Sequence, residues 1–400
     1  MHPRELAIAD YTYTLPADRI AQQPLADRAA SRLLVWRDGA ISDKRFGDLV
    51  DELPEGALLV LNNTRVVNAR LVFQRSTGAR IEVLCLAPKD GRPVELALNE
   101  PGTAEWSCFI GNAKRWNDAE VLTLGAEGFR LHATRTGTEA VRFDWDPPTK
   151  TFARVLAALG HVPLPPYMKR ADVVEDRTRY NTVFARKEGS VAAPTASLHF
   201  TPGMLEALRA KQVRMAELTL HVGAGTFLPV KSARMHDHAM HSEEVSVPRT
   251  AITELIGQLG RGPVVAVGTT ALRTLESLYW HGARLLRGQS AESMDVEQWE
   301  PHAAQERSPG AAEALQAVAD SLEERRSDSL SGRTRLLIAP GYRFRIADAL
   351  ITNFHQPQST LLLLVAAFIG DGWRSMYEHA LANGYRFLSY GDGSLLWRRP

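Results

Sequence analysis

Six of the twelve histidines, His199, His221, His236, His238, His241 and His355, stand beside small or turn-forming residues and not on charged helix faces. Imidazole is the side chain best suited to move protons near neutral pH, so each is a candidate proton carrier. GSVAAPTASLHF at 189–200 isolates the first of them: it holds no acid, Lys or Arg, and His199 is its one titratable group. The nearby stretch KRADVVEDRTR at 169–179 is, by contrast, dense in charge. MHDHAMHSE at 235–243 resembles a metal cluster at first sight, with His238 and His241 three apart. Zinc sites pair histidines on one helical turn or combine them with spaced cysteines, and no cysteine or firm third ligand follows here. Substrate contacts or surface histidines fit the run better.

Three further stretches could approach a ligand. In HVGAGTF (221–227), Gly223 and Gly225 would let backbone come close to a bound molecule, although a tight turn needs the same glycines. The third glycine of a dinucleotide fingerprint is missing. VAVGTTALRTLES (265–277) reads as a buried strand ending at Gly268, with Thr269 and Thr270 opening a helix. The free N–H groups of such a first turn suit an anion or carboxylate. ALITNFHQPQST (349–360) sets Asn353, His355, Gln356, Gln358, Ser359 and Thr360 ahead of a very apolar helix, where Asn353 and Ser359 could equally cap turns. Cys85 and Cys108 fall in apolar strand-like runs and read as inert.

The elements that must position these residues follow from periodicity. Short apolar or alternating runs at 57–62, 69–73, 79–86, 106–111, 129–134 and 140–145 predict a small β-barrel or sandwich over 56–149. Residues 1–55 and 150–400 then form a discontinuous α/β domain. Helices are expected at 151–160, 201–210 (capped by Thr201, with Pro202 at its first position), 250–260, 269–280 and 359–370, and strands at 214–222, 263–268 and 334–340. This alternation is α/β layering. The polar stretch at about 285–333, with one amphipathic helix, reads as a surface insertion.

Composition narrows the partners. Lys+Arg 47 against Asp+Glu 46 gives a formal net charge of +1, so nucleic-acid binding would need a local basic face, for which Arg333, Arg335, Arg343 and Arg345 are one option. Two cysteines exclude a disulfide framework and fit a reducing cytosol. The longest apolar run, LLLLVAAFI at 361–369, is too short for a membrane span, and no signal-peptide core opens the chain. A soluble, cytoplasmic protein is expected.

SRLLVW, LLVLNNTRVVNARL, PLPPY, RYNTVFA, GSVAAPTASLHFT, TLHVGAGTF, AVGTTALRTLES, PGYRF, DALITNFHQPQSTLLLLVAAF and YRFLSYGD run in order through almost the whole chain. Together they closely resemble the S-adenosylmethionine:tRNA ribosyltransferase-isomerase family of queuosine biosynthesis. The resemblance implies a large α/β domain with an inserted small β-barrel. It implies transfer and isomerisation of the ribose of S-adenosylmethionine, a co-substrate, onto the preQ1 base at the tRNA wobble position. The product is epoxyqueuosine, and adenine and methionine are released. No metal is implied; the partner is a tRNA anticodon stem-loop, and a monomer is expected.

Carried onto this chain, the resemblance makes His199, His221 and His355 the candidate catalytic residues. Candidate substrate contacts early in the chain are Asn62, Thr64, Arg65, Tyr167, Arg179 and Tyr180. Pro194, Thr195, Phe200, Gly223, Gly225, Thr226, His238, His241 and Glu243 follow. The last group is Gly268, Thr269, Thr270, Arg273, Asn353, Ser359, Thr360 and Asp392. Arg65, Arg179, Tyr180 and Arg273 would meet the cofactor carboxylate or tRNA phosphates, oxyanions that suit the planar guanidinium.

Several family charges are absent: Ala29 and Asn63 stand where Asp is usual, Leu228 where Arg is, and Gln358 where Lys is. Asn68, Asn181 and Gln356 replace Pro, Gln and Leu. These losses suit a paralogue with an altered substrate and equally a divergent branch doing the same reaction with repacked contacts. The alternative readings of the chain are an enzyme of the same fold with a different acceptor and a non-enzymatic tRNA-binding module.

Overall fold

The computed structural model describes residues 2–117, 120–223, 225, 230, 232–289, 292–302 and 308–398. After a run of short turns the chain forms the hairpin β1 (Arg32–Arg37) and β2 (Ala40–Arg45), then the single turn α1 (Leu49–Glu52). β3 (Leu58–Asn62) follows at the centre of a large sheet, and β4 (Thr64–Val66) leaves it. Next come β5 (Arg70–Gln74), β6 (Arg80–Pro88), α2 (Val94–Leu98), β7 (Thr103–Gly111), β8 (Leu122–Ala126), β9 (Phe129–Gly137), β10 (Ala140–Asp146) and α3 (Phe152–Leu159). The six strands form one antiparallel sheet in the order β5-β6-β7-β10-β9-β8, whose edges β5 and β8 lie side by side, so that it curls into a nearly closed barrel. Phe152 of α3 plugs it, packing on Trp106, Phe143 and Trp145.

The run at 57–62, expected in the small β unit, is instead β3. Its five residues are all buried, which a strand flanked by neighbours in a two-faced sheet requires. The barrel sheet therefore starts at Arg70.

Beyond α4 (Asp176–Arg179), β11 (Lys187–Ser190) pairs with β4 in a short parallel ribbon between the two sheets. α5 (Pro202–Ala210) is capped by the Thr201 side chain, which accepts from Met204 N–H. Then follow β12 (Arg214–His221), β13 (Glu243–Pro248), α6 (Arg249–Gln258), β14 (Val264–Val267) and α7 (Thr269–Leu285). β15 (Met294–Val296), α8 (Ala311–Glu324), β16 (Ser329–Thr334), β17 (Ala349–Asn353), α9 (Thr360–Ile369), α10 (Gly372–Ala382) and β18 (Gly393–Trp397) complete the chain. The large sheet is ten-stranded, in the order β15-β16-β13-β12-β3-β14-β17-β18-β1-β2, with β12, β3, β14 and β17 mutually parallel. Mixed helix and strand, with helices packed on the sheet, make this an α/β fold with an antiparallel barrel attached.

Two expectations need correction. Residues 335–340 form no strand, because the pairing with β13 ends at Thr334. Nor is the segment at 285–333 a surface insertion: β15 and β16 extend the large sheet, and α8 lies along α7. Its apolar stripe, Ala314, Leu315, Val318 and Leu322, is fully buried. An amphipathic helix needs such a partner, and burying each large side chain contributes roughly 1.5–3 kcal/mol. The helices meet backbone to backbone, since a Cβ on Gly282 would lie 2.0 Å from the Ala314 carbonyl oxygen. No helix among the described residues is long and apolar enough to cross a membrane.

Candidate active site

The carboxyl ends of β3, β14 and β17 converge, as they must in neighbouring parallel strands, and a crevice opens beyond them. β14 runs into Gly268, whose φ of +89 is a conformation that glycine alone adopts cheaply and which turns the chain directly into α7. At the end of β3, Asn62 is fully buried and spans three elements: its Nδ2 donates to Leu220 O (2.9 Å) and Thr270 Oγ1 (3.2 Å), and its Oδ1 accepts from Thr64 and Leu220 N–H. It thereby fixes the first turn of α7 against the sheet.

The resulting cleft lies where open α/β sheets bind small ligands. Tyr167, Pro194, Thr195, Gly268, Thr269, Thr270, Asn353, His355 and Ser359 line it, as expected from the sequence. Gln356, named with the polar loop before α9, lines it too, as do Thr352 and Ser389, which were not singled out; Ser389 lies within YRFLSYGD, so that motif was the available signal. No Asp, Glu, Lys or Arg is among the described lining residues.

The three candidate catalytic histidines separate. Only His355 borders the cleft; its Nε2 lies 2.9 Å from Thr352 Oγ1, and its backbone N–H donates to Tyr377 Oη. Burial lowers its pKa to about 3, which keeps the ring neutral at physiological pH. His199 sits behind the wall, packed on Phe46, with Asn353 Nδ2 3.3 Å from its Nε2. Asn353 Oδ1 in turn accepts from Thr195 Oγ1 at 2.8 Å, so a hydrogen-bonded chain joins His199 to the cleft surface. Burial, then Arg386 and Arg28, lower the His199 pKa to about 3. His221 faces the β4–β11 ribbon, with Nδ1 2.8 Å from Thr64 Oγ1 and its ring against Gly189, where a Cβ would clash at 2.8 Å. Its pKa falls to about 4, through burial first.

The remaining candidates take other places. His241, Glu243 and Arg273 form a network: buried Glu243 pairs with Arg273 and, at 3.2 Å, with His241 Nε2. Although burial opposes its charge, Arg273 and His241 hold the Glu243 pKa near 2. Gly225 lies against the His241 ring, while His238 is half-buried and burial lowers its pKa. Gly223 is half-buried, with open space where a side chain would stand. Tyr180 and Phe200 are fully buried core residues. Arg65 is an exposed partner of Glu188 at 3.8 Å, and Thr360 opens α9 behind the Ser359 cap. Asp392 accepts from Arg32 and Arg386 N–H. Thr226 and Leu228 lie outside the described residues. No group of three His, Cys, Asp or Glu able to hold a metal occurs among the described residues.

Three of the departures from the family pattern sit in defined local contacts. Asn63 accepts from Thr219 Oγ1 (2.8 Å) and donates to Glu217 Oε2 (3.1 Å), where an aspartate would face a second carboxylate. Asn181 Oδ1 accepts from Val66 N–H and its Nδ2 donates to Arg177 O. Gln358 has φ +56 and is held by its backbone, donating to Tyr11 O.

A neutral cleft at the carboxyl ends of parallel strands marks an α/β protein with the crevice in which sheets of this kind bind small ligands. Residues 8–396 match the queuosine biosynthesis protein family, and the chain belongs to that family. The S-adenosylmethionine:tRNA ribosyltransferase-isomerase of Azoarcus sp. (strain BH72) is 42% identical to it over 98% of both chains. The enzyme of the same name from Xanthomonas oryzae pv. oryzae is 39% identical over 98% of this chain and 97% of its own. A solved S-adenosylmethionine tRNA ribosyltransferase from Thermotoga maritima aligns at 28% identity, over 97% of this chain and 99% of that one, with a TM-score of 0.47.

Proposed function

We propose that the protein transfers and isomerises the ribosyl group of S-adenosylmethionine onto the preQ1 base of tRNA, giving epoxyqueuosine with release of adenine and methionine. The observation that carries this reading is family membership over nearly the whole chain, joined to relatives named for that reaction.

Chemically, the sulfonium acidifies the ribose carbon attached to it, and a positioned base takes that proton. His355 is our candidate base because it borders the cleft and is neutral. Proton transfer leaves a sulfonium ylide, neutral overall, and places the positive charge on the imidazolium, so the net charge in the pocket is unchanged. Adenine then leaves, the aminomethyl group of the base is captured, and methionine departs as the epoxide closes. Thr195, Asn353 and His199 orient the ribose from one wall, and Thr269 and Thr270 face the co-substrate from the other. The reaction needs no metal. We assign the protein to the cytoplasm, as a monomer, with the barrel sheet and α3 as a separate folding unit.

Adenine release from S-adenosylmethionine in the presence of a preQ1-containing anticodon stem-loop tests the assignment. Release that requires the preQ1 base supports it. Release independent of that base, or co-substrate binding without release, overturns it.

A further inference from the structure

A second, shallow crevice shares Ser389 with the cleft and also contains His199. Its cationic members are Arg28 and Arg179, and no carboxylate is among its described lining residues. Each guanidinium has five N–H donors. Three bonds from Arg28 end on the carbonyls of Thr178, Asn181 and Leu198, and two from Arg179 end on those of Leu25 and Ala26. The buried Nε of Arg179 has no acceptor among the described residues. Neither arginine makes an ion pair among the described residues, whereas Arg335, suggested by the sequence as part of a basic face, is answered by Asp295 and Glu297. Burial, and then the neighbouring Arg179 charge, lower the Arg28 pKa. Two like charges held together without a counterion favour binding of an anion.

We infer that Arg28 and Arg179 form a phosphate subsite that holds the RNA backbone beside the base entering the cleft, an inference that rests on the proposed tRNA reaction. Ser389, whose Oγ lies 2.6 Å from Tyr167 Oη, separates base and phosphate. The strand path continues outward, because an adjoining open groove shares Pro24, Leu25 and Arg179. Of the two acids in that groove, Asp176 is neutralised by a two-pronged contact with Arg170 (2.6 and 2.9 Å), and Glu175 is exposed. RNA loops are read by drawing out a base while cationic groups hold the flanking backbone.

The test is binding of a preQ1-containing anticodon stem-loop across a salt series, with the full chain and its Arg179→Gln and Arg179→Lys variants. R179Q should weaken binding about 10-fold near 0.1 M salt and flatten the log Kd against log salt slope by about 0.7, the contribution of one phosphate contact. R179K, which keeps the charge but not the fork, should retain the slope and lose part of the affinity. An unaltered KM for S-adenosylmethionine in R179Q would show that the fold is intact. An unchanged RNA slope, or a raised KM with RNA binding intact, overturns the subsite and, in the second case, points to the co-substrate carboxylate. If the wild-type chain neither binds the stem-loop nor releases adenine, the functional reading falls and takes the subsite with it. Release by the wild type with an indifferent R179Q removes the subsite alone.

Discussion

His199 Nε2 and Asn353 Nδ2 lie 3.3 Å apart, and the amide that reaches the histidine also accepts from Thr195 on the cleft surface. Because Asn353 donates to Nε2, the His199 ring carries its proton on Nδ1. The pair therefore fixes a tautomer, and it orients Thr195 from behind. Asn353→Asp keeps the Thr195 contact but removes the donor to His199. It should lower adenine release per folded molecule by about 10- to 100-fold, the effect of losing an orienting hydrogen bond, and also lower the melting temperature, because a carboxylate then stands buried against the Asp392 carbonyl. A variant with full turnover would remove the relay from the mechanism.

His355 and His221 separate two roles by position. Replacing His355 with Ala takes away the one cleft-lining histidine among the described residues and should reduce turnover by about 100-fold or more. His221→Ala loses the Thr64 contact outside the cleft, so its turnover should stay within about 10-fold of wild type. Single-turnover adenine release measures both, and the reverse ranking would move the base to His221.

Acid stability follows from the same burial. His199, His221 and His355 have folded pKa values of about 3, 4 and 3, below the ordinary 6.5, so the unfolded chain takes up protons first as pH falls. Stability is complete above pH 6.5 and drops below it, by about 1.4 kcal/mol per pH unit for each such histidine, until the folded pKa is reached. Glu243 adds a second decline, its contribution being present above the ordinary 4.5 and lost as pH falls toward 2. Urea midpoints at pH 7.5, 6 and 5 should fall in that order; a flat series would contradict the burial of these rings.

Asn63→Asp, although it restores the usual family residue, should destabilise this chain by about 1 kcal/mol, because it sets a carboxylate 3.1 Å from Glu217. Combining it with Glu217→Gln should recover most of the loss. Thermal melts of the single and double variants give the coupling directly.

Much of this was legible in the residues. Gly268, Thr269 and Thr270 were placed at a strand-to-helix turn by their types alone, and Asn353, His355 and Ser359 by the contrast between a polar loop and an apolar helix. β3 was not, because LLVLN is a continuous apolar run that suits a barrel strand or a central parallel strand equally, and only its partners decide. Arg28 also escaped notice, since nothing local distinguishes a guanidinium paired with acids from one resting on carbonyls. The segment at 285–333 reads as a surface insertion because its polar face dominates its composition, while its four-residue apolar stripe packs on α7.

That stripe, and the seat of Gly282 on Ala314, bear on how this lineage can vary. The outward face of α8 is free to drift, one residue at a time, as its surroundings change. Its inward face is a joint inheritance with α7, whose first turn reaches the cleft. A descendant that trimmed α8 would strip the cover from a helix carrying buried Arg273, Glu276 and His281, so gain or loss of the segment has to arrive together with a rewritten α7.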